Sequence, residues 1–163
     1  MPNFRIGHGY DLHRLQPGGK LLLAGVVVSE EISPVAHSDG DVIFHAIVDA
    51  LLGAVGGGDI GEHFPDTDPR WKGAASRVFV AAACDEVRRA GYAVANVDVT
   101  LLAERPKVKR FKPAMVAEIR GLVGEQALVN VKAGTNEGCD AIGRGEAIAA
   151  HAVVLLQRMS ASE

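Results

Sequence analysis

Several features are scarce in this chain of 163 residues, and each scarcity excludes a class of protein. Aromatic residues make up 5% of the sequence, and the formal net charge is −3, with lysine and arginine dispersed along the chain. Nucleic-acid-binding domains usually carry a clustered basic excess, so we expect no general nucleic-acid partner. The two cysteines, Cys84 and Cys139, lack C-x-x-C spacing, which argues against a disulfide framework and favours a reducing compartment.

Long apolar runs are also missing. No hydrophobic run approaches the length of a membrane span, and residues 1–5 lack the apolar core of a signal peptide. We therefore expect a cytoplasmic protein with no membrane partner. The hydrophobic content of 48% argues against disorder, and the length suits one substantial core, so we predict a single catalytic domain over residues 1–163.

Hydrophobic periodicity and turn residues predict an α+β fold. In chain order, the predicted elements are a strand over 4–13, a strand over 20–28 paired with it as a hairpin, a helix from about Ser38 or Asp39 to 56–58, a helix over 76–90, a strand over 96–103, a helix over 113–123, a strand over 128–133 and a helix over 146–159. We predict a two-layer sandwich, with a four-stranded mixed sheet and helices on one face. The strand over 96–103 is apolar, so self-association through the sheet is expected.

Asp11, His13 and His45 carry the most informative side chains of the sequence. Residues two apart in a strand point to the same face, so Asp11 and His13 can ligate one ion together. His45 is the best third ligand, about two turns into a helix whose start Ser38 and Asp41 mark as a capping box. Two imidazoles and one carboxylate are a typical catalytic zinc set, which leaves one tetrahedral position free. Taken alone, the Asp-x-His pair fits a surface strand, and His45 fits a core histidine.

Three loops add polar groups to this picture. The loop 103–109 presents cations beyond a strand end and suits either a diphosphate or plain solvation. The loop 133–138 offers a hydroxyl, backbone N–H groups and a carboxylate suited to Mg²⁺. Asp59, Asp66 and Asp68 could bind a polyol, although aspartates often only form turns, the better interpretation for Asp68 before Pro69.

An ordered series of motifs spans nearly the whole chain. The motifs are GHGYDLH at 7–13, AHSDGDVIFH at 36–45, GDIGEHFPDTDP at 58–69, NVDVT at 96–100 and GRGE at 143–146. The series closely resembles the 2-C-methyl-D-erythritol 2,4-cyclodiphosphate synthase family of the non-mevalonate isoprenoid pathway. The resemblance implies a zinc-dependent lyase that converts 4-diphosphocytidyl-2-C-methyl-D-erythritol 2-phosphate to the cyclic diphosphate and CMP. It also implies a homotrimer with active sites between subunits, one zinc per site, and Mg²⁺ or Mn²⁺ as a second ion.

The resemblance also assigns roles to residues by position. It implies Asp11, His13 and His45 as zinc ligands, Glu137 as the ligand of the second ion, and His37 and Thr135 as catalytic residues. The implied substrate-binding residues are Asp11, His13, His37, Ser38, Asp59, Ile60, Gly61, Phe64, Pro65, Asp66, Asp68, Ala103, Pro106, Lys107, Gly134, Thr135, Asn136, Glu137 and Arg144.

Two positions depart from the family pattern. Gly134 stands where many members have a threonine, and Ala141 stands where they have an aromatic residue. Gly134 affects the nucleotide contacts, and Ala141 affects an axial channel that the family is proposed to use for isoprenoid diphosphates. Two alternatives remain open: a zinc hydrolase acting on a phosphoester, and a non-catalytic trimer that binds nucleotides or isoprenoids around a structural zinc.

Overall fold

The computed structural model describes residues 2–159. The strands are β1 (Phe4–Pro17), β2 (Leu21–Leu23), β3 (Val26–Ser29), β4 (Ile32–Pro34), β5 (Tyr92–Leu102), β6 (Leu128–Gly134) and β7 (Ala147–Arg158). The α-helices are α1 (Val42–Val55), α2 (Ile60–His63), α3 (Arg77–Arg89), α4 (Lys112–Val123) and α5 (Asp140–Gly143). Short 3₁₀ turns cover Pro69–Trp71 and Lys109–Phe111. Across this part of the chain, none of the helices has the length and apolar character needed to span a bilayer.

The main sheet has five strands in the order β4-β1-β7-β5-β6. β7 is antiparallel to both of its neighbours, and β6 runs parallel to β5, so the sheet is mixed. One row across the sheet pairs Asp11 with Ala150, Ala150 with Leu101, and Leu101 with Ala133. The row therefore places Asp11 and the end of β6 at the same level, three strand spacings apart.

Helix α1 packs very closely on β1 because two glycines face it. A Cβ added at Gly7 would lie 1.8 Å from the carbonyl oxygen of Ala50, and one at Gly9 would lie 1.9 Å from that of Ala46. Any larger residue at either position would force the helix away from the strand. The two glycines thus hold the middle of α1 against the strand that carries Asp11 and His13.

The two faces of the sheet differ sharply. One face packs under α1, α3 and α4 in a single apolar core. The other face exposes large apolar side chains along β1 and β7, namely Phe4 (55%), Ile6 (71%), Tyr10 (46%), Leu12 (43%) and Val153 (42%). Helices therefore cover one face, as predicted, and leave an apolar surface on the other.

The predicted helix over 146–159 is wrong, because these residues form β7 in the middle of the sheet. Residues 147–156 are apolar except for His151, so the segment lacks the alternation that marks a half-buried strand. The predicted four-stranded sheet is wrong as well, because it has five strands, including the short β4. The predicted strands over 4–13, 96–103 and 128–133 and the helices over 76–90 and 113–123 are confirmed, with ends shifted by up to four residues.

Two local predictions near the N-terminus are also wrong. The segment 20–28 does not pair with β1, because it forms β2 and β3, which pair with each other, while β1 pairs with β4 and β7. The helix begins at Val42 with Asp41 as its N-cap, in place of the Ser38–Asp41 capping box. His45 consequently lies in the first turn of α1 and not two turns into it.

Candidate active site

Asp11, His13 and His45 converge on one point. Oδ2 of Asp11 lies 2.9 Å from Nε2 of His13 and 3.0 Å from Nδ1 of His45, and these two nitrogens are 3.2 Å apart. Within residues 2–159, this triad is a cluster able to hold a metal ion. The predicted convergence of the three side chains is therefore confirmed.

Backbone geometry explains why the triad forms. Asp11 and His13 are two residues apart on β1, so both side chains point towards α1. The carboxylate of Asp41 accepts hydrogen bonds from the backbone N–H groups of Ala24, Gly25, Ile43 and Phe44, at 2.7–3.2 Å. This buried N-cap fixes where α1 starts, and therefore where His45 projects.

The donor set fits a divalent cation. Burial raises the pKa of Asp11, but the neighbouring imidazoles of His13 and His45 outweigh it and hold the pKa well below its ordinary value. The triangle thus places one carboxylate oxygen and two imidazole nitrogens within reach of a single ion. Two imidazole nitrogens and one carboxylate oxygen are a donor set typical of divalent transition-metal sites in proteins.

The other ring nitrogen of His45, Nε2, has two hydroxyl groups within hydrogen-bond distance. Nε2 of His45 lies 2.8 Å from Oγ of Ser76 and 3.1 Å from Oγ of Ser38. Ser76 is fully buried, and its Oγ donates to the carboxylate of Asp39. Sequence reasoning missed Ser76, which lies 31 positions from His45 and belongs to no recognisable motif, and it considered Asp39 only as a possible helix start.

A cavity of about 410 Å³ opens beside the triad. Its lining includes His13 and His45 together with the predicted residues His37, Ser38, Ile60, Gly61, Phe64, Pro65 and Asp66. Ala36, Trp71 and Phe79 complete the lining and were not predicted. Phe64 stacks on Phe79 at 4.4 Å between ring centroids, and Trp71 meets Phe64 edge-on at 5.3 Å. The cavity therefore joins a cation site to an apolar wall with polar groups at its rim.

Two predicted aspartates serve local structure beside this cavity. Asp59 caps α2 by accepting the N–H of Glu62 at 2.9 Å. Asp68 caps the following 3₁₀ turn and pairs with Arg70 at 2.6 Å, which holds the pKa of that carboxyl below its usual range. The turn interpretation of Asp68 is thus confirmed, and the role of both residues in substrate binding stays a prediction.

A second cavity, of about 430 Å³, lies where β5 and β6 end. The predicted residues Ala103, Pro106, Lys107, Gly134 and Thr135 line it, joined by Val108, Lys109, Lys112 and Ala133. Oγ1 of Thr135 donates to Oε1 of Glu137 at 3.3 Å, so the two side chains lie together at the rim. Asn136 instead donates to Asp140 at 2.9 Å.

Arg144 lies in neither of these cavities. It pairs with Glu146 at 3.0 Å, and both residues line a third cavity of about 860 Å³ together with Arg14, Arg105 and Ala141. Arg144 therefore does not line the cavity beside the triad, and its contact with the substrate stays a prediction.

Known proteins match this chain over nearly its whole length. The YgbB family matches residues 4–157. The 2-C-methyl-D-erythritol 2,4-cyclodiphosphate synthase of Bordetella pertussis is 51% identical over 156 residues, which is 95% of this chain and 96% of that protein. The chloroplastic enzyme of the same name from Arabidopsis thaliana is 49% identical over 156 residues, with 95% of this chain and 68% of that protein covered.

Solved structures match over nearly the whole chain. The bifunctional IspDF from Campylobacter jejuni superimposes with a TM-score of 0.92 at 41% identity, covering 96% of this chain and 43% of the longer one. This chain thus spans less than half of that bifunctional protein. The CDP complex of IspF from Plasmodium falciparum gives a TM-score of 0.85 at 32% identity, covering 98% of this chain and 100% of that one.

Proposed function

Because this chain belongs to the YgbB family, we propose that it converts 4-diphosphocytidyl-2-C-methyl-D-erythritol 2-phosphate to 2-C-methyl-D-erythritol 2,4-cyclodiphosphate and CMP. The reaction would place it in non-mevalonate isoprenoid biosynthesis as a phosphorus–oxygen lyase. The observation that carries the proposal is the triad of Asp11, His13 and His45, which borders a cavity sized for a small polyol phosphate.

The triad would hold zinc through Oδ2 of Asp11, Nε2 of His13 and Nδ1 of His45. When bound, zinc would supply Lewis acidity and positive charge next to the phosphate oxygens of the substrate. The dense packing of α1 on β1 supports this role, because it holds the three ligand atoms within 3.2 Å of one another. Such preorganisation avoids a reorganisation cost when charge develops in the transition state.

The first cavity would bind the methylerythritol 2-phosphate end of the substrate. Phe64, Phe79 and Trp71 offer an apolar wall for the methyl group and exclude water, while Asp66 and the backbone of Ile60 and Gly61 suit hydroxyl groups. His37 and Ser38 would donate to the 2-phosphate at the rim. Asp59 and Asp68 would shape the loop or contact hydroxyl groups directly.

The second cavity would bind the cytidine diphosphate end. Lys107, Lys109 and Lys112 give it a positive lining, which suits a diphosphate. Glu137 would hold Mg²⁺ or Mn²⁺ at the diphosphate, and the hydroxyl of Thr135 would contact the phosphoryl group in transfer. Binding of CDP to the Plasmodium falciparum protein supports a cytidine nucleotide as ligand.

Sheet register supports a site shared between subunits. Asp11 and Ala133 lie in one row across β1, β7, β5 and β6, so three strand spacings of about 4.8 Å put roughly 14 Å between them. Adjacent phosphates of one substrate cannot bridge that gap. We therefore propose a homotrimer in which the first cavity of one subunit faces the second cavity of its neighbour, with the exposed apolar sheet face buried between subunits.

The reaction then depends on charge and proximity. An oxygen of the 2-phosphate attacks the β-phosphorus, the bond from that phosphorus to the bridging oxygen breaks, and CMP leaves with that oxygen. The attacking oxygen is already ionised near neutral pH, so the mechanism needs no general base. Because both phosphates belong to one molecule, fixing its two ends in two cavities supplies the attack geometry, and surrounding cations offset the repulsion.

The third cavity suits a further ligand on the trimer axis. Arg14, Arg105 and Arg144 lie beside apolar residues such as Leu12 and Ile32, a combination that fits an isoprenoid diphosphate. Ala141 in the same lining offers less apolar surface than an aromatic residue, so we expect binding there to be weak.

Phosphorus NMR of the products tests the proposed reaction. Protein incubated with zinc, Mg²⁺ and the diphosphocytidyl substrate should yield the cyclic diphosphate and CMP. A linear monophosphate or free phosphate would instead indicate a hydrolase that uses the same cation site to activate water. Nucleotide binding with neither product would indicate a non-catalytic protein.

A further inference from the structure

The environment of Asp39 fixes the direction of one hydrogen bond. Its carboxylate lies 2.9 Å from the N–H of Ser76 and 3.1 Å from the N–H of Asp41, and it also contacts Oγ of Ser76. An ionised carboxylate only accepts hydrogen bonds. The hydroxyl proton of Ser76 therefore points to Asp39.

This direction decides the role of the next contact. Oγ of Ser76 donates its only proton to Asp39. It can therefore only accept a hydrogen bond from Nε2 of His45, 2.8 Å away. A neutral imidazole carries one proton, so Nδ1 of His45 then has a lone pair. That lone pair faces Oδ2 of Asp11 and Nε2 of His13, where the cation would sit.

Burial makes the arrangement difficult for water to replace. Ser76 is fully buried and His45 is 8% exposed. Ser38, the other hydroxyl near Nε2, is 3.1 Å away and only partly buried, so Ser76 is the closer and better-shielded acceptor. With that proton taken by Ser76, the hydroxyl of Ser38 can turn towards the first cavity.

We propose that Asp39 and Ser76 act as positioning residues that hold His45 in its Nε2–H tautomer, with Nδ1 ready to ligate a metal ion. The proposal rests on the cation site proposed above, but neither residue touches the cation or the substrate. Partners of this kind on metal-binding histidines typically affect metal affinity by roughly ten- to a hundredfold.

Ser76→Ala is the principal test variant. The Ser76 side chain makes no capping hydrogen bond to α3, and its backbone is α-helical, so alanine fits without loss of a cap. Asp39→Asn is the second variant, because the amide can offer a donor to Oγ of Ser76 and reverse the direction of the chain of hydrogen bonds. Ser29→Ala, remote from the triad, is the matched control.

Two measurements test the proposal separately from catalysis. Long-range ¹H–¹⁵N NMR of the metal-free protein at about pH 8, where histidine is largely neutral, reports the tautomer of His45. Zinc affinity is measured by competition with a chelator, and thermal unfolding checks that each variant is folded. We expect the Nε2–H tautomer in the unmodified protein and a mixture in Ser76→Ala, with zinc affinity lowered roughly ten- to a hundredfold in a variant that still unfolds in one cooperative transition.

The outcomes separate this proposal from the proposed function. An Nδ1–H tautomer in the unmodified protein would overturn the proposed role of Asp39 and Ser76, even if one variant failed to fold. Unchanged tautomer and zinc affinity in a folded Ser76→Ala would overturn it as well. Failure of the unmodified protein to bind zinc would instead defeat the cation site, whatever the tautomer.

Discussion

The two cavities proposed to share the substrate are built in opposite ways. The first surrounds a cation site whose ligands contact one another and are held from behind by Ser76 and Asp39. The second is lined by lysines, and within residues 2–159 none of Lys107, Lys109 and Lys112 takes part in an ion pair. One cavity is thus organised before a ligand arrives, whereas the other presents positive charge that an anion must neutralise.

This difference suits the first cavity to transition-state stabilisation and the second cavity to substrate binding. Electrostatic stabilisation of a transition state requires fixed groups, because groups that reorganise during the reaction lose part of their effect. Capture of a flexible diphosphate requires only charge and reach, which long lysine side chains provide. We therefore expect changes in the first cavity to lower turnover and changes in the second to weaken nucleotide binding.

Replacement of His45 should have the largest effect. His45→Ala removes one of three ligands, so zinc content should fall to near zero and turnover by roughly a thousandfold or more. Elemental analysis and steady-state kinetics measure the two losses. His63→Ala is the control for metal content, because Nε2 of His63 contacts the carbonyl of Gly57 at 2.7 Å, outside the triad. Full zinc content and full activity in His45→Ala would show that the first cavity does not depend on a metal ion held by His45.

Thr135 tests whether the second cavity contributes to chemistry as well as binding. Thr135→Ala should lower the turnover rate by roughly ten- to a thousandfold, because the hydroxyl would stabilise the phosphoryl group late in transfer. Zinc content should stay unchanged, and Thr135→Ser should restore most of the rate. If Thr135→Ala turned over at the normal rate, the hydroxyl would be only structural.

Lys107 tests the binding role of the second cavity. A hydrogen bond to a charged group contributes about 1.5–3 kcal/mol, so Lys107→Ala should weaken CDP binding by roughly ten- to a hundredfold. Calorimetric titration with CDP measures the change, and zinc content should not move. Lys20→Ala is the control, because Lys20 is an exposed lysine remote from both cavities that lies 3.6 Å from Glu30. Equal CDP affinity in the two variants would contradict the assignment.

Glu137 should have the smallest effect. Glu137→Gln keeps an oxygen ligand but removes a charge, so the Mg²⁺ concentration needed for half-maximal activity should rise by roughly tenfold. A Mg²⁺ titration of activity measures this shift, with Glu125→Gln as the exposed control. Overlapping titrations would remove the second-ion role from Glu137.

The sequence predicted the triad because its signals are local. Asp11 and His13 share a strand face at a spacing of two, and a histidine near the start of an apolar helix is visible without a structure. The helix start itself was misplaced, since Ser38, Asp39 and Asp41 are all suitable caps. What selects Asp41 is contact with the backbone of Ala24 and Gly25, which no local pattern reveals.

The error over β7 has a similar origin. Its alanines favour a helix by intrinsic propensity, yet Ala150 and Ala152 are fully buried in the core at the centre of the sheet. Small side chains are suited to this position because α1 packs tightly over β1 and its neighbour β7. Tertiary packing therefore overrides local propensity here, and tertiary packing also brings Ser76 to His45 without any sequence signal.

A crystal structure of the protein grown with zinc and CDP, with data collected at the zinc absorption edge, would show whether the triad is an open metal site. We expect zinc at about 2.0–2.2 Å from Oδ2 of Asp11, Nε2 of His13 and Nδ1 of His45. We also expect a fourth ligand that is not a protein atom. Zinc bound elsewhere, or a fourth protein side chain in the coordination shell, would show that the proposed metal site is wrong.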